Sequence, residues 1–181
     1  MNRIDTNING CFVVEPRVFE DERGLFFESY NQRRFEEVLG KKIDFVQDNQ
    51  SNSKKGVLRG LHFQTGEHAQ SKLVRVLLGE VLDVVVDLRQ NSKTFGQHFT
   101  IKLSGDNKKM LFIPKGMAHG FLTLSKEAIF AYKCDDYYHK ASENGVLYDD
   151  QTLGIDWKYP TNEMILSPKD MQLSTFKELF P

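Results

Sequence analysis

The sequence predicts a mainly β protein, either a sandwich or a barrel, and two observations support this. Short apolar or alternating runs recur along the chain at fairly regular spacing. Turn-favouring residues separate these runs, as at 78–80, 104–107 and 114–116, and many short strands joined by turns are typical of sandwiches and barrels. The predicted strands are Cys11–Val14, Gly24–Tyr30, Val57–Gln64, Leu73–Leu78, Val81–Leu88, His98–Leu103, Met110–Ile113, Gly120–Leu124 and Ile129–Cys134.

Few helices are predicted. One should span 31–40, because an asparagine that can cap it precedes an apolar stripe, and a glycine that can end it follows. A helical turn is predicted from Ser167, with Pro168 in its first position and Asp170 in its first turn. The tail at 174–180 is also expected to be helical.

Length and charge limit the possible functions. The chain has 181 residues without a repeat or linker, which predicts a single domain over 1–181. Its 24 Lys and Arg residues nearly balance 25 Asp and Glu residues, for a net charge of -1. Neither nucleic acid nor a membrane is therefore expected as a partner, and an anion site would need a local basic cluster.

The cysteines and the N-terminus suggest a cytoplasmic protein. Cys11 and Cys134 lie far apart and form neither a CxxC pair nor a zinc-binding spacing. The N-terminus has no apolar signal core, and no apolar run is long enough to span a membrane. A reducing cytoplasm is the expected location.

Two segments carry the residues suited to chemistry, Arg59–Gln64 and Pro114–Phe121. The Pro-x-Gly-x-x-His pattern of the second segment resembles the second cupin motif. The first motif of metal cupins supplies His-x-His and a glutamate, but here Gln64 stands in place of the second histidine. His62 and His119 alone are too few for a closed transition-metal site, and His68 has the wrong offset to replace the missing ligand. No metal or other cofactor is therefore expected.

The chain as a whole, from about Glu15 to Asp170, resembles the dTDP-4-dehydrorhamnose 3,5-epimerase family of nucleotide-sugar enzymes. The resemblance implies a cupin-like jelly-roll β-barrel with a few short helices, acting as a homodimer. The residues that carry it are 15–19, 21–24, 45–49, 57–64, 72–75, 94–97, 113–114, Gly116, 118–121, 132–133, 137–138, 142–143, 166–167 and 169–170.

The reaction that the resemblance implies is the conversion of dTDP-4-dehydro-6-deoxy-D-glucose to dTDP-4-dehydro-L-rhamnose. It would supply L-rhamnose to lipopolysaccharide or other cell-surface polysaccharides. The ketone at carbon 4 acidifies the protons on carbons 3 and 5, so that each centre can invert through an enolate. Such a reaction needs a base, a group that stabilises the oxyanion, and an acid on the opposite face.

The resemblance assigns the base to His62, a residue type that titrates near neutral pH. Asp170 is expected to orient His62 and to stabilise its imidazolium form. Lys72 is expected to face the oxygen on carbon 4, where negative charge develops.

The opposite acid is assigned to Tyr132, and His119, with Asp83 as its carboxylate partner, is expected beside the same oxygen. Each of these residues also has a structural reading. Tyr132 lies in an apolar strand and by itself would be interpreted as core. The spacing of Asp83 and Asp87 also fits a strand that faces solvent.

The nucleotide must also be bound, and arginine and lysine suit a diphosphate because they offer charge-assisted donors. Any one of these cations, taken alone, also fits a solvated surface charge. An aromatic face for a thymine ring could come from Phe19, Phe26 or Tyr138. The substrate contacts that the resemblance implies are Arg23, Glu28, Gln47, Asp48, Asn49, Arg59, Lys72, His119, Tyr138, Glu143 and Lys169.

Three alternatives stay open at this stage. A related nucleotide 4-keto-sugar enzyme, either a single-centre epimerase or a ketoisomerase, would share the barrel. A non-catalytic cupin could bind a sugar nucleotide, but it would not need both a histidine base and an opposed tyrosine acid. A metal-dependent cupin oxygenase conflicts with Gln64. The stretch Cys11–Val18 is expected to add to a sheet of the partner in a dimer.

Overall fold

The computed structural model describes residues 1–181 and is mainly β, as predicted. Two α-helices occur, α1 (Gln32–Leu39) and α2 (Phe176–Leu179). The strands are β1 (Asn2–Asp5), β2 (Phe12–Glu15), β3 (Val18–Asp21), β4 (Gly24–Phe27), β5 (Gln47–Lys54), β6 (Leu58–Gln64), β7 (Lys72–Leu78), β8 (Glu80–Asp87), β9 (His98–Ser104), β10 (Met110–Ile113), β11 (Met117–Thr123), β12 (Glu127–Cys134) and β13 (Glu143–Gly145).

Two antiparallel sheets face each other and form the cupin-like jelly roll. One has six strands in the order β1-β2-β10-β7-β12-β5, and the other has five in the order β13-β6-β11-β8-β9. Strands β3 and β4 form a separate hairpin. Apolar side chains from both sheets fill the space between them and make up the central core. They include Val74, Val76, Val85, Leu103, Leu111, Phe121 and Phe130.

Helix α1 confirms the prediction for 31–40. The Asn31 side chain accepts a hydrogen bond from the backbone N–H of Arg34 at 3.2 Å, and Gly40 ends the helix in the left-handed conformation at φ 79°. Phe35 is fully buried against Phe12 and Phe112 on the outer face of the six-stranded sheet. The helix therefore closes that part of the sheet, away from the barrel interior.

The C-terminal segment, 146–181, covers the outer face of the five-stranded sheet. Leu153, Trp157 and Phe176 pack there against Leu58 and other strand residues. The predicted turn after Ser167 is a 3₁₀ turn over Asp170–Gln172, and Thr175 and Glu178 form a capping box at the start of α2. None of the helices has the length and apolar composition needed to cross a membrane.

The strand with Asp83 and Asp87 does not face solvent, which corrects that interpretation of their spacing. Strand β8 lies between β11 and β9, and seven of its eight residues are buried. Both faces of the strand are covered, one by the barrel core and the other by the C-terminal segment. Asp83 and Asp87 are both 0% exposed, so that each needs partners inside the protein.

The stretch 11–18, which was expected to add to a sheet of a partner, is paired on both sides only in part. Its strand β2 pairs with β1 on one side and with β10 on the other, so neither of its edges is free to extend a sheet of a partner. The remainder reaches Val18 at the start of β3, which pairs only with β4 in one chain, so a contact of this stretch with a partner stays a prediction. The outer strands of the two sheets are instead β1, β5, β13 and β9.

Candidate functional site

A cavity of about 560 Å³ opens between the two sheets. It brings together five of the six residues predicted for catalysis, which are His62, Lys72, His119, Tyr132 and Asp170. The sixth, Asp83, lies behind His119 and is fully buried. The structure therefore gathers residues from four strands and the C-terminal segment around one space.

Strands β6 and β11 set His62 and His119 side by side. The two histidines are register partners, and the register shifts by one position between His119 and Phe121. Gly60 lies at φ +136°, and a Cβ atom on it would come within 2.5 Å of the Gly120 Cα. Glycine at both positions lets the two strands approach closely beside the histidines.

His62 is held by a carboxylate from the C-terminal segment. Its Nε2 lies 2.8 Å from Asp170 Oδ1, and Ser167 Oγ accepts a hydrogen bond from the Asp170 backbone N–H at 3.1 Å. Burial alone would raise the pKa of Asp170, but the hydrogen bond and charge of His62 outweigh it and lower that pKa. Asp170 therefore accepts as a carboxylate, Nε2 carries the proton, and Nδ1 keeps the free lone pair.

His119 has its own buried carboxylate. Its Nε2 lies 2.9 Å from Asp83 Oδ2, and both side chains are nearly inaccessible to solvent. Burial raises the pKa of Asp83, opposed by His119 and by the charge of Lys72. Asp83 Oδ1 has no hydrogen-bond partner. His119 is thus fixed in orientation by a group that does not itself reach the cavity.

The six-stranded sheet supplies the opposite wall with Lys72, at the start of β7, and Tyr132 in β12. Lys72 Nζ lies 5.9 Å from the centre of the Tyr132 ring. Burial lowers the pKa of the Lys72 ammonium and raises the pKa of the Tyr132 phenol. The amine of Lys72 and a phenol that burial keeps protonated therefore face the wall that carries His62, which is the arrangement that an epimerisation through an enolate requires.

Two stacked rings close the bottom of the cavity. Phe121 belongs to the five-stranded sheet and Phe130 to the six-stranded sheet; their ring centres lie 4.2 Å apart at an interplanar angle of 11°. Both line the cavity, and the His119 ring lies 5.9 Å from that of Phe130. Because both rings also belong to the central core, the cavity has an apolar floor beside His119.

A smaller chamber of about 290 Å³ adjoins the first and shares His62, Lys72 and Tyr132 with it. Several of the residues predicted to contact substrate line this chamber. They are Gln47, Asn49, Tyr138 and Glu143, whereas Arg59 and Lys169 line the larger cavity.

These rim residues are bonded to one another. Tyr138 Oη donates to Glu143 Oε2 at 2.8 Å, and Lys169 Nζ lies 2.6 Å from the same carboxylate oxygen. Gln47 accepts from the backbone N–H of Tyr138 at 2.9 Å. Burial opposes ionisation of Glu143, but Lys169 and Tyr138 outweigh it and lower its pKa. The rim therefore presents a preorganised cation and a phenol ring.

Arg23 does not reach the cavity within this chain. It lies between β3 and β4, its side chain is 85% exposed, and its guanidinium pairs with Asp21. The two aromatic candidates on this hairpin, Phe19 and Phe26, are also exposed. Of the three aromatic side chains considered for a thymine ring, only Tyr138 lines the site.

Two further predicted contacts, Glu28 and Asp48, also lie elsewhere. Glu28 accepts hydrogen bonds from Asn31 and Arg34 at the start of α1. Lys133 Nζ donates to Asp48 Oδ1 at 2.9 Å and to Asp48 Oδ2 at 3.1 Å. This pair lies on the outer face of the sheet, because the Asp48 side chain points opposite to those of its neighbours in β5. Neither residue lines the two chambers of one chain.

Ser51 and Ser167 also line the cavity, and neither was predicted from the sequence to do so. Strand alternation could have indicated Ser51, because Gln47, Asn49 and Ser51 occupy alternate positions and therefore share one face of β5. No group of three or more His, Cys, Asp or Glu side chains suited to a metal ion occurs in the structure. That no metal is required stays a prediction, which an assay after chelation would test.

Comparison with known proteins matches the chain over nearly its whole length. The family profile described as dTDP-4-dehydrorhamnose 3,5-epimerase matches residues 5–178. The enzyme of that name from Escherichia coli K12 is 55% identical over 179 residues, which cover 99% of this chain and 96% of that protein.

Two solved structures are similar to a comparable extent. That of dTDP-4-dehydrorhamnose 3,5-epimerase from Elizabethkingia anophelis has a TM-score of 0.95 at 53% identity and covers 98% of this chain and 97% of its own. That of dTDP-6-deoxy-D-glucose-3,5-epimerase from Legionella pneumophila, solved in complex with dTDP-4-keto-L-rhamnose, has a TM-score of 0.93 at 52% identity, covering 97% and 93%.

Proposed function

Because the chain belongs to the dTDP-4-dehydrorhamnose 3,5-epimerase family, it is a carbohydrate epimerase, and we propose that it inverts carbons 3 and 5 of dTDP-4-dehydro-6-deoxy-D-glucose. The product is dTDP-4-dehydro-L-rhamnose, an intermediate in the supply of dTDP-L-rhamnose to cell-surface polysaccharides. The observation that carries this proposal is the placement of His62 and Tyr132 on opposing walls of one cavity.

In the proposed mechanism, Nδ1 of His62 removes the proton from carbon 3 or carbon 5. The electron pair moves into an enolate whose oxygen, on carbon 4, is stabilised by Lys72 and His119. Asp170 stabilises the imidazolium of His62 while the enolate exists. Tyr132 then donates its phenol proton from the other face, so that the centre is inverted, and exchange with solvent returns His62 to the free base and Tyr132 to the phenol before the second centre reacts. The steps need only proton transfers, and no electron acceptor takes part.

The nucleotide part is proposed to lie along the rim formed by Tyr138, Glu143 and Lys169. Tyr138 offers a half-exposed ring for a base, and Lys169 and Arg59 offer donors for a diphosphate. Gln47 and Asn49 line the adjoining chamber and supply amide groups for the remaining polar atoms.

We further propose that residues 1–181 act as one domain, that two copies form a homodimer, and that the protein works in the cytoplasm. The exposed Phe19, Leu25 and Phe26 on the β3–β4 hairpin support association, since exposed apolar clusters commonly mark protein contacts. A hairpin seated against a second copy would also move Arg23 away from solvent. The buried, unpaired Cys11 and Cys134 fit a reducing compartment.

Proton NMR of the sugar formed in deuterated water tests the function. The wild-type protein should place deuterium at carbons 3 and 5, because each inversion returns a solvent-derived proton. A single-centre epimerase would invert one carbon, a ketoisomerase would move the carbonyl from carbon 4, and a binding protein would exchange nothing. Any of these three results would overturn the proposal.

Two variants test the assigned roles in the same experiment. His62→Ala should abolish exchange at both centres, because no enolate forms without the base. Tyr132→Phe should keep some exchange but lose inversion, because His62 can still return a proton to the face from which it came. Wild-type inversion by Tyr132→Phe would show that Tyr132 is only a core aromatic.

A further inference from the structure

The side chain of Gln64 ties strand β6 to two loops. Gln64 ends this strand, two positions after His62, and is only 6% exposed. Its Nε2 donates to the backbone oxygens of His68 at 2.7 Å and Tyr137 at 3.2 Å, and its Oε1 accepts from the backbone N–H of His139 at 2.7 Å. Both donors and the acceptor of the amide are therefore used, each on a backbone group outside β6.

The two loops that Gln64 holds also contact each other above the smaller chamber. The rings of His68 and His139 stack with their centres 3.9 Å apart. Gln70 Nε2 donates to the backbone oxygen of Asp136 at 2.8 Å. The loops at 65–71 and 135–142 thus form one layer, and Gln64 fixes it to the strand that carries His62.

Tyr138 lies between the two residues of the second loop that Gln64 holds, and it links this layer to the rim. Its hydroxyl bonds Glu143, which in turn pairs with Lys169. Lys72, in contrast, is held in the sheet by register partners on both sides, Ile113 and Cys134. A change at Gln64 should therefore move the rim much more than it moves the reacting end.

We propose that Gln64 is a positioning residue for substrate binding, which sets Tyr138 and, through it, Glu143 and Lys169 against the cavity. Gln64 itself need not touch the sugar. This proposal rests on the proposed function, because it assigns the rim to the nucleotide part of the substrate. It also gives Gln64 a use of its own at the position where metal cupins carry a histidine.

Substitutions that keep the size of Gln64 but change its bonding provide the test. Gln64→Glu turns two donations to backbone oxygens into oxygen–oxygen repulsions, and Gln64→Met removes all three bonds without adding a charge. We expect KM, and the Kd for dTDP measured by calorimetry, to rise about tenfold. We expect kcat to stay within about threefold, since the strands that carry His62, Lys72 and Tyr132 are unchanged.

A double-mutant cycle with Tyr138→Ala asks whether Gln64 acts through Tyr138. If it does, the Gln64→Met change should raise KM less in the Tyr138→Ala background than in wild type. Full additivity, or a fall in kcat at unchanged KM, would overturn the proposal. Gln32→Glu is the matched control, because Gln32 Nε2 donates to the Ile43 carbonyl and to Asp44 beside α1, away from the cavity. It should lower stability and leave KM unchanged.

A measurement without substrate separates this proposal from the proposed function. Amide hydrogen exchange over 135–142 should be faster in Gln64→Met than in wild type, and unchanged in Gln32→Glu. If the wild-type protein failed to turn over the dTDP sugar, the proposed function would fall, whereas faster exchange in the Gln64 variants together with weaker dTDP binding would still support the positioning role. Unchanged exchange in both Gln64 variants would refute it.

Discussion

His62 and His119 are register partners across β6 and β11, and each points Nε2 at a carboxylate from a different part of the chain. Asp170 comes from the C-terminal segment and has a lowered pKa, whereas burial raises the pKa of Asp83. Two neighbouring imidazoles therefore meet different electrostatic surroundings. The carboxylate of Asp170 can stabilise the positive charge that His62 acquires when it takes a proton from the sugar, which suits His62 to the role of base, whereas His119 is held as a fixed donor.

Replacing Asp170 by asparagine should separate two contributions of this side chain, its orientation of His62 and its negative charge. Asp170→Asn keeps the size of the side chain but cannot stabilise the imidazolium, so kcat should fall by about two to four orders of magnitude. The Kd for dTDP should change little. Asp150→Asn is the control, since the Asp150 carboxylate is also buried but bonds backbone N–H groups of Thr152 and Leu153 away from the cavity. A kcat within threefold of wild type for Asp170→Asn would remove Asp170 from the mechanism.

Lys72 should determine the alkaline limb of the pH–rate profile. The ammonium form stabilises the enolate, and burial lowers the pKa of Lys72. As pH rises through that lowered pKa, the cation is lost and the rate falls. The pKa of Tyr132 is raised by burial, so that its phenol stays protonated over the same range.

Two variants of Lys72 test this assignment. Lys72→Ala should lose most turnover in a folded protein, by a factor of about 10² to 10³ for one oxyanion donor. Lys72→Arg should turn over more slowly than wild type, but with its alkaline limb at higher pH, because guanidinium stays protonated. Lys133→Arg, on the outer face of the sheet beside Asp48, is the control and should not move the limb. If the alkaline limb of Lys72→Arg stays at the wild-type pH, the limb belongs to a group other than Lys72.

No metal should be needed for turnover. His62 and His119 each direct Nε2 to a carboxylate, and the amide of Gln64 is committed to backbone groups. Protein treated with a strong chelator and assayed in metal-depleted buffer should keep its full rate. A loss of activity that Mn, Fe or Zn restores would contradict this prediction.

The protein should be a homodimer at assay concentration. Light scattering is expected to give twice the mass of the chain, and Phe26→Ser on the β3–β4 hairpin should weaken association, because the Phe26 ring is 70% exposed in one chain. Leu78→Ser, an equally drastic change of an exposed apolar residue at the end of β7, should leave the mass unchanged. A monomeric wild-type protein would rule out the dimer.

Asp87 should contribute stability that acid removes. Burial opposes its ionisation, but hydrogen bonds from Arg89, Ser92 and Thr94 hold its pKa at about 2. Since the unfolded pKa is about 3.9, this stability is complete above about pH 5 and is lost as the pH falls toward 2. The difference between the two pKa values corresponds to about 2–3 kcal/mol. Urea unfolding at pH 7 and pH 3 should show a smaller acid-induced loss for Asp87→Asn than for wild type, whereas the exposed Asp21→Asn should behave like wild type.

The sequence predicted the strands whose side chains are apolar and missed those whose side chains are not. Strand β5 reads Gln-Asp-Asn-Gln-Ser-Asn-Ser-Lys and has no hydrophobic period, yet all eight residues pair with β12. It lies at the edge of its sheet and lines both chambers, so neither face needs an apolar row. Burial of Asp83 was missed because Asp83 shares a face of β8 with Val81 and Val85, and only the packing of the two sheets against each other shows that this face lines the barrel core.

Site residues could be predicted from the sequence pattern where the residues that indicate them lie close together along the chain. Spacing within two short segments pointed to His62 and His119. The pairing of His62 with Asp170 spans 108 residues and came only from the family resemblance. Arg23 pairs with Asp21 and Glu28 with Arg34, away from the cavity, so the substrate contacts that the resemblance implies for them stay predictions.

The stacked rings of Phe121 and Phe130 have a consequence for attempts to redesign the substrate range. Because one ring belongs to each sheet, the pair fixes the depth of the cavity and also joins its two walls. A smaller residue at either position would make room for bulkier sugar substituents, but truncating a buried phenylalanine to alanine typically costs about 3–5 kcal/mol. These two side chains therefore couple the range of sugars that the cavity admits to the thermal tolerance of the barrel. A variant with a broader substrate range needs compensating packing elsewhere in the core.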